Sequence, residues 1–349
     1  MDGVLGQDKA LETLRAQLAS QRVHHAQIFH GPSGVGKFTT ALAFTRVLLG
    51  EQGWVGQDHP DLHVVTKELA LYSDDAATRR RKLTSIPVEV VREHVLGPAF
   101  RSAQVSDRKV FIIDEAELLN AAGQNALLKT LEEPPAGTTL ILVTTSEDRL
   151  LPTIRSRCQR VAFVPLAEKH LSAYLDEQDE AGAMSESERA WLLRFASGSL
   201  GRLTLALEYG LTGWARAVLG PVDGLTRGRA SPGLGGVMQE LQQGFAEAWV
   251  KRHDNASKEA ANQTAGALMA AMLTDHARHH LGLLAAETDP DDPEGAEARL
   301  GPWLGVIDAV EESRGLLARN VNPSLVNDYL GVALHAVLME GAGQQAGVG

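Results

Sequence analysis

Within the stretch HGPSGVGKFTT, the residues Gly31, Pro32, Ser33, Gly34, Val35, Gly36 and Lys37 form a glycine-rich loop that ends in lysine. Backbone N–H groups within residues 32–38, at the start of a helix, can wrap the α- and β-phosphates of a nucleotide (Pro32 itself has none to give). Lys37 then reaches the β- and γ-groups. The next position calls for a serine or threonine hydroxyl to ligate magnesium, and here it is Phe38. A phenyl ring offers no oxygen to a cation that demands near-ideal octahedral ligands. Thr39 does not replace the missing group, because one helical step turns its side chain by about 100°. Its hydroxyl can still bond an α-phosphate. The expected cofactor is ATP or ADP, with weak magnesium and little or no hydrolysis.

A second chemical segment is VFIIDEAELLN. Four apolar residues, Val110 to Ile113, predict a buried strand, with Asp114 and Glu115 at its C-terminal end. Ligands of open α/β sheets bind at that end. Asp114 is placed to hold magnesium through water, and Glu115 to orient an attacking water. An acidic pair there also suits a helix N-terminus.

These groups need a scaffold. Apolar residues Leu11, Leu14 and Leu18 predict a helix over 8–21, followed by a strand over Ala26–His30 that feeds the loop and a helix from Thr39 to Leu49. Further strands are expected at Leu62–Val65, Val110–Ile113, Leu140–Thr144 and Arg160–Val164. Strands alternating with helices indicate a parallel α/β sheet. The reading divides the chain into an α/β P-loop nucleotide domain (1–165), a small helical lid (166–212), a Gly/Pro-rich linker (213–236), an all-α C-terminal domain (237–340) and a disordered tail (341–349). The acidic loop DPDDPEG at 289–295 reads as a connector.

The 349 residues carry Lys+Arg 33 against Asp+Glu 44, a net charge of −11. That balance opposes coating of nucleic acid by bulk charge, which needs clustered Lys and Arg. Cys158 is the only cysteine, so an intrachain disulfide and a cysteine-based zinc cage are excluded. It reads as a packing residue. The weakly polar run Ala265–Thr274 is too short to span a bilayer, and MDGVLGQDKALETL has no signal-peptide pattern. The cytoplasm is the expected location.

The stretches LGQDKALETL, RVHHAQIFHGPSGVGK, HPDLHVV, KVFIIDEAELLNAAGQNALLKTLEEPPAGT and LLPTIRSRCQRVAF, with GSLGRL and NVNPSL, are distributed along nearly the whole chain. Together they resemble the bacterial clamp-loader ATPase family of DNA polymerase III, its delta-prime type in particular. The resemblance implies an AAA+ module, a lid, and a collar that assembles into a five-subunit ring. Its expected partners are gamma/tau and delta subunits, the sliding clamp and, through the complex, primer-template DNA. A polymerase activity would belong to the holoenzyme only. By the same resemblance, Arg157 in TIRSRCQ projects onto the γ-phosphate held by a neighbouring subunit. Thr144 or Thr145 would be the family's first sensor of a γ-phosphate, and Arg202 in GSLGRL its second sensor, carried by the lid. Family members often carry four zinc-binding cysteines just before HPDLHV, and Gly50–His59 has none. No zinc is expected. A catalytically active gamma/tau or replication-factor-C type ATPase is the alternative, supported by Asp114 and Glu115 and opposed by Phe38.

Other signals are read as structural. The basic run Arg79–Lys82 suits a solvated loop. His276, His279 and His280 share helical spacing that could bind a metal, but no carboxylate or cysteine is read as completing the set, so a solvated helix face is expected. After Pro323, a residue suited to a first helical turn, Leu325, Tyr329 and Leu330 form an apolar stripe expected to pack on a neighbour.

Overall fold

A computed structural model describes the chain apart from residues 2, 57, 81–82, 179–181, 183, 254–256, 288–292, 320 and 347–349. It divides into two units, Met1–Gly182 with Ser197–Gly201, and Ala183–Ala196 with Arg202–Gly349.

The first unit is a three-layer α/β structure. In chain order it holds α1 (Asp8–Ala19), β1 (Ala26–His30), α2 (Lys37–Leu49), β2 (Leu62–Val65), α3 (Val88–Val91) and α4 (Gly97–Ala99). There follow β3 (Lys109–Ile113), α5 (Ala121–Glu132), β4 (Thr138–Thr144), α6 (Pro152–Arg155), β5 (Gln159–Ala162) and α7 (Glu168–Asp176). The five strands are parallel, in the order β2-β3-β4-β1-β5. Every residue of β3 and β4 is buried, as expected for parallel strands covered on both faces.

Alternation along the strands sorts two cores. Ile28, Phe111, Ile113, Leu140 and Leu142 face Val90, Val91, Leu127 and Leu131 from α3 and α5. Phe29, Val110, Ile112, Ile141 and Val143 face Ala10, Leu14, Ala41 and Phe44 from α1 and α2. The period of two in the strands thus sets which helices cover which face. Cys158 packs at the edge of the first core, and burial pushes its thiol up to about 12.

The second unit is helical. It contains α8 (Glu186–Ala196), most of α9 (Leu200–Glu208), α10 (Leu211–Leu225), α11 (Leu234–Arg252), α12 (Lys258–Ala286), α13 (Pro293–Ala318) and α14 (Pro323–Ala346). Three sequence expectations are corrected here. The stretch 213–236 is not a linker: α10 occupies it to Leu225, and α11 begins at Leu234. Glycines and Pro221 suggested a loop, but Leu211, Trp214, Val218, Val222 and Leu225 recur at helical spacing and are all buried. Burial of that stripe outweighs the weak propensity of the glycines. The tail expected to be disordered from 341 continues α14 to Ala346, and 347–349 lie outside the described residues. The histidines of α12 do have a carboxylate, because Asp223 of α10 meets His276 and His280. Of the acidic connector, 289–292 lie outside the described residues and α13 starts at Pro293.

Candidate nucleotide site

The loop 31–36 leaves the C-terminal end of β1 and enters α2. Two glycines are required by contact. A Cβ on Gly31 (φ +146°) would lie 2.2 Å from the carbonyl oxygen of Phe163. A Cβ on Gly34 (φ +71°) would lie 2.3 Å from the Ser199 hydroxyl, and the Gly201 amide donates to the Gly34 carbonyl at 2.9 Å. Gln7, buried ahead of α1, donates to the carbonyls of Val35 and Val164 at 3.1 and 2.8 Å. This one amide ties the loop to the end of β5. Sequence reasoning missed the roles of Gln7 and of Ser199–Gly201, although LGQDKALETL and GSLGRL contain them.

Lys37 is buried, and its ammonium donates to the carbonyls of Gly31 and Pro32 at 2.7 and 2.5 Å. Burial lowers its basicity, opposed by the nearby carboxylates of Glu117 and Asp114. Phe38 packs against the core beneath α2, beside the cluster that includes Phe29 and Phe44. Thr39 is exposed. The next hydroxyl, Thr40, is buried and donates to the Gly36 carbonyl at 2.7 Å.

Register brings the rest together. His30 pairs with Thr144, and Ile113 with Leu142, so β4 lies between the strand that feeds the loop and the strand that ends at Asp114. Burial holds the Asp114 carboxyl above its ordinary value, against the backbone N–H of Glu115, which donates to Oδ1 at 3.0 Å. Glu115 adopts a left-handed backbone (φ 48°), and its carboxylate pairs with Lys67 at 2.7 Å. Glu117 is the residue that the sequence reading passed over. Burial opposes its ionisation, but hydrogen bonds from Thr145 and Thr144 more than offset this and hold its carboxyl below the ordinary value. The Thr145 amide and hydroxyl both donate to Oε1, while Oε2 is buried without a hydrogen bond. Glu117, three residues after Asp114, shares with it the field of Lys37. Thr144, fully enclosed, accepts the Ser146 amide at 3.1 Å. Both candidate threonines therefore stand at the strand end beside Glu117.

Arg157 follows α6. Its guanidinium donates to the Thr153 carbonyl at 2.9 Å and pairs with Glu132, the C-terminal residue of α5, at 2.6 Å. The pair is partly solvent-exposed. Arg202 belongs to the second unit, where it lies over the Phe195 ring at 5.6 Å and donates to the Phe195 carbonyl at 3.2 Å. Arg46 sits over Trp54 at 4.9 Å, Trp54 lies 5.1 Å from His59, and His59 bonds the Gln52 carbonyl at 2.8 Å. Arg79 turns onto the carbonyls of Ser73 and Asp74, while Arg81 and Lys82 lie outside the described residues.

A phosphate loop, an aspartate at the end of the next-but-one strand and threonines on the strand between them form the geometry of a P-loop nucleotide site. Residues 6–167 match the family described as DNA polymerase III, delta subunit. Three curated relatives set its neighbourhood. DNA polymerase III subunit delta' of Bacillus subtilis is 29% identical over 192 residues, covering 51% of this chain and 54% of the relative. The subunit of the same name in Pseudomonas aeruginosa is 34% identical over 166 residues, covering 43% and 47%. DNA polymerase III subunit gamma of Buchnera aphidicola subsp. Acyrthosiphon pisum is 33% identical over 178 residues, covering 49% and 47%. The chain spans about half the length of the curated relatives it matches. The matched residues lie within the first unit. No helix among the described residues is long and apolar enough to cross a membrane.

Proposed function

We propose that the chain is a delta-prime-like subunit of a bacterial, cytoplasmic DNA polymerase III clamp loader. In this reading it assembles with gamma/tau and delta subunits, helps place the sliding clamp on primer-template DNA, and donates Arg157 to a neighbour's ATP. Its own site holds ATP or ADP weakly, with little magnesium and slow or no turnover. The observation that carries this is Phe38, whose ring fills core space where an active site needs a hydroxyl on the cation. The proposed domains keep the bounds read from the sequence for the P-loop module (1–165), the lid (166–212) and the collar (237–340).

The test is reconstitution with Arg157→Ala. In the chain itself Arg157 lies in a partly exposed ion pair, so the variant should fold normally. Within the complex, the adjoining site should lose about 2 kcal/mol or more of transition-state stabilisation, while total ATPase falls only in part. Arg157→Lys should rescue incompletely, because an ammonium lacks the planar multi-donor fork. Unchanged clamp- and DNA-stimulated ATPase, with assembly verified by gel filtration, would reject the role.

The second reading is an active gamma-type ATPase. It draws on Asp114 and Glu115 at the end of β3. The two diverge in the isolated chain: steady-state hydrolysis abolished by Lys37→Ala would favour the active enzyme.

A further inference from the structure

Asp223, near the end of α10, and His276 and His280, one turn apart on α12, converge within the helical unit. One carboxylate oxygen, Oδ1 of Asp223, lies 2.6 Å from Nε2 of His276 and 3.2 Å from Nε2 of His280. All three potential donor atoms lie within 4.8 Å of one another. Histidines spaced i, i+4 share a helix face, and the carboxylate arrives from a second helix. Trp303 of α13 stacks on the His280 ring at 4.0 Å and 3°, and meets His276 edge-on at 5.5 Å, so both rings are oriented by packing.

We infer that Asp223, His276 and His280 form a binding site for a borderline divalent transition metal, zinc in the first place. Two imidazole nitrogens and one carboxylate oxygen are a donor set that zinc accepts, with a fourth position left to water. Bonds of about 2.0–2.1 Å in a tetrahedral arrangement place neighbouring donors about 3.3 Å apart. The Asp223–His280 separation of 3.2 Å already suits this, and the Asp223–His276 separation of 2.6 Å must open by about 0.7 Å. Coordination through Nε2 leaves the ring proton of each histidine on Nδ1. The site remains accessible, since the three side chains are 11–32% exposed.

His279 is not a member of the set. Burial makes it a weaker base, as do the positive charge of Arg194 and its neighbours His280 and His276, against the pull of Asp275. A bound metal would join α10 to α12, and its consequence is a stiffer helical unit.

The test uses tag-free full-length chain, stripped with EDTA and titrated with Co2+ by visible absorption, then with Zn2+ by displacement and calorimetry. One Co2+ per chain is expected at this site, with the intense bands of low coordination, displaced by Zn2+. His276→Gln and His280→Gln should each weaken binding at least about tenfold. Asp223→Asn keeps an oxygen that accepts from both rings, so it should fold normally by circular dichroism and also bind at least about tenfold more weakly. Zn2+ should raise the melting temperature of the wild type and not of the His276→Gln/His280→Gln double variant. Equal affinity of the wild type and Asp223→Asn for both metals, or stoichiometric binding retained by the double variant, would overturn the assignment and leave a hydrogen-bonded Asp–His–His cluster.

Discussion

The amide of Gly201 donates to the carbonyl of Gly34, the apex of the phosphate loop, and no side chain separates the two backbones. A Cβ at Gly201 would meet Gly34 Cα at 3.0 Å, so the approach exists because both residues are glycine. Gly201→Ala should therefore destabilise the first unit by about 1–2 kcal/mol, through a backbone that must give way. Gly213→Ala, at a helical position where a Cβ meets nothing within 4 Å, is the control and should be neutral or slightly stabilising. Urea unfolding midpoints of the two variants compare them directly. Equal midpoints would show that the Gly34–Gly201 approach is not tight.

Restoring the missing hydroxyl separates fold from chemistry. Phe38→Thr should lower stability by about 1–3 kcal/mol, since a partly buried ring leaves the core under α2. The same change should strengthen nucleotide binding in magnesium but not in EDTA. Fluorescent ATP titrations under the two conditions read this out. A magnesium-independent response would mean that the hydroxyl does not reach the cation.

The two carboxylates that share Lys37 should respond oppositely to pH. Asp114 is raised by burial, so its contribution favours folding at low pH and is lost as pH rises through its folded value. Asp114→Asn should accordingly stabilise the protein at pH 7–8, with the gain vanishing below about pH 4. Glu117 is lowered: burial opposes ionisation, and the Thr145 and Thr144 hydrogen bonds outweigh it. Its contribution is present above the ordinary glutamate value and is lost as pH falls through the folded one. Glu117→Gln should destabilise at neutral pH and converge with wild type in acid. Thermal melts across pH 3–8 would contradict this if both variants shifted in the same direction.

On α14 the apolar stripe expected from the sequence splits. Leu330 is buried, while Leu325 and Val332 are 62% and 70% exposed, on one face with Tyr329. Leu330→Ala should cost about 2–4 kcal/mol of stability. Leu325→Gln with Val332→Gln should change stability by no more than about 0.5 kcal/mol, yet weaken assembly with clamp-loader partners. Gel filtration of the reconstituted complex separates the two effects. Full assembly by the double variant would remove this face from the interface.

Local patterns in the chain were enough to specify the first unit in outline. Glycine spacing ahead of Lys37, the run Val110–Ile113 before Asp114, and the strand ending at Thr144 are each readable because they depend on neighbours in sequence. The strand positions emerged for the same reason, since burial on both faces forces short apolar runs. The misreading of 213–236 came from weighing glycine and proline locally, when a buried stripe running from Leu211 to Leu225 decides the helix. Other features depend on partners far along the chain. Gln7 reaches Val164, Glu117 reaches Thr145, Arg157 pairs with Glu132, and Asp223 meets His276 and His280. No periodicity encodes such pairs. The residue types set what chemistry Phe38 denies and Lys37 permits, but tertiary packing alone decided which carboxylates Lys37 would face, because strand register and helix packing bring them within reach.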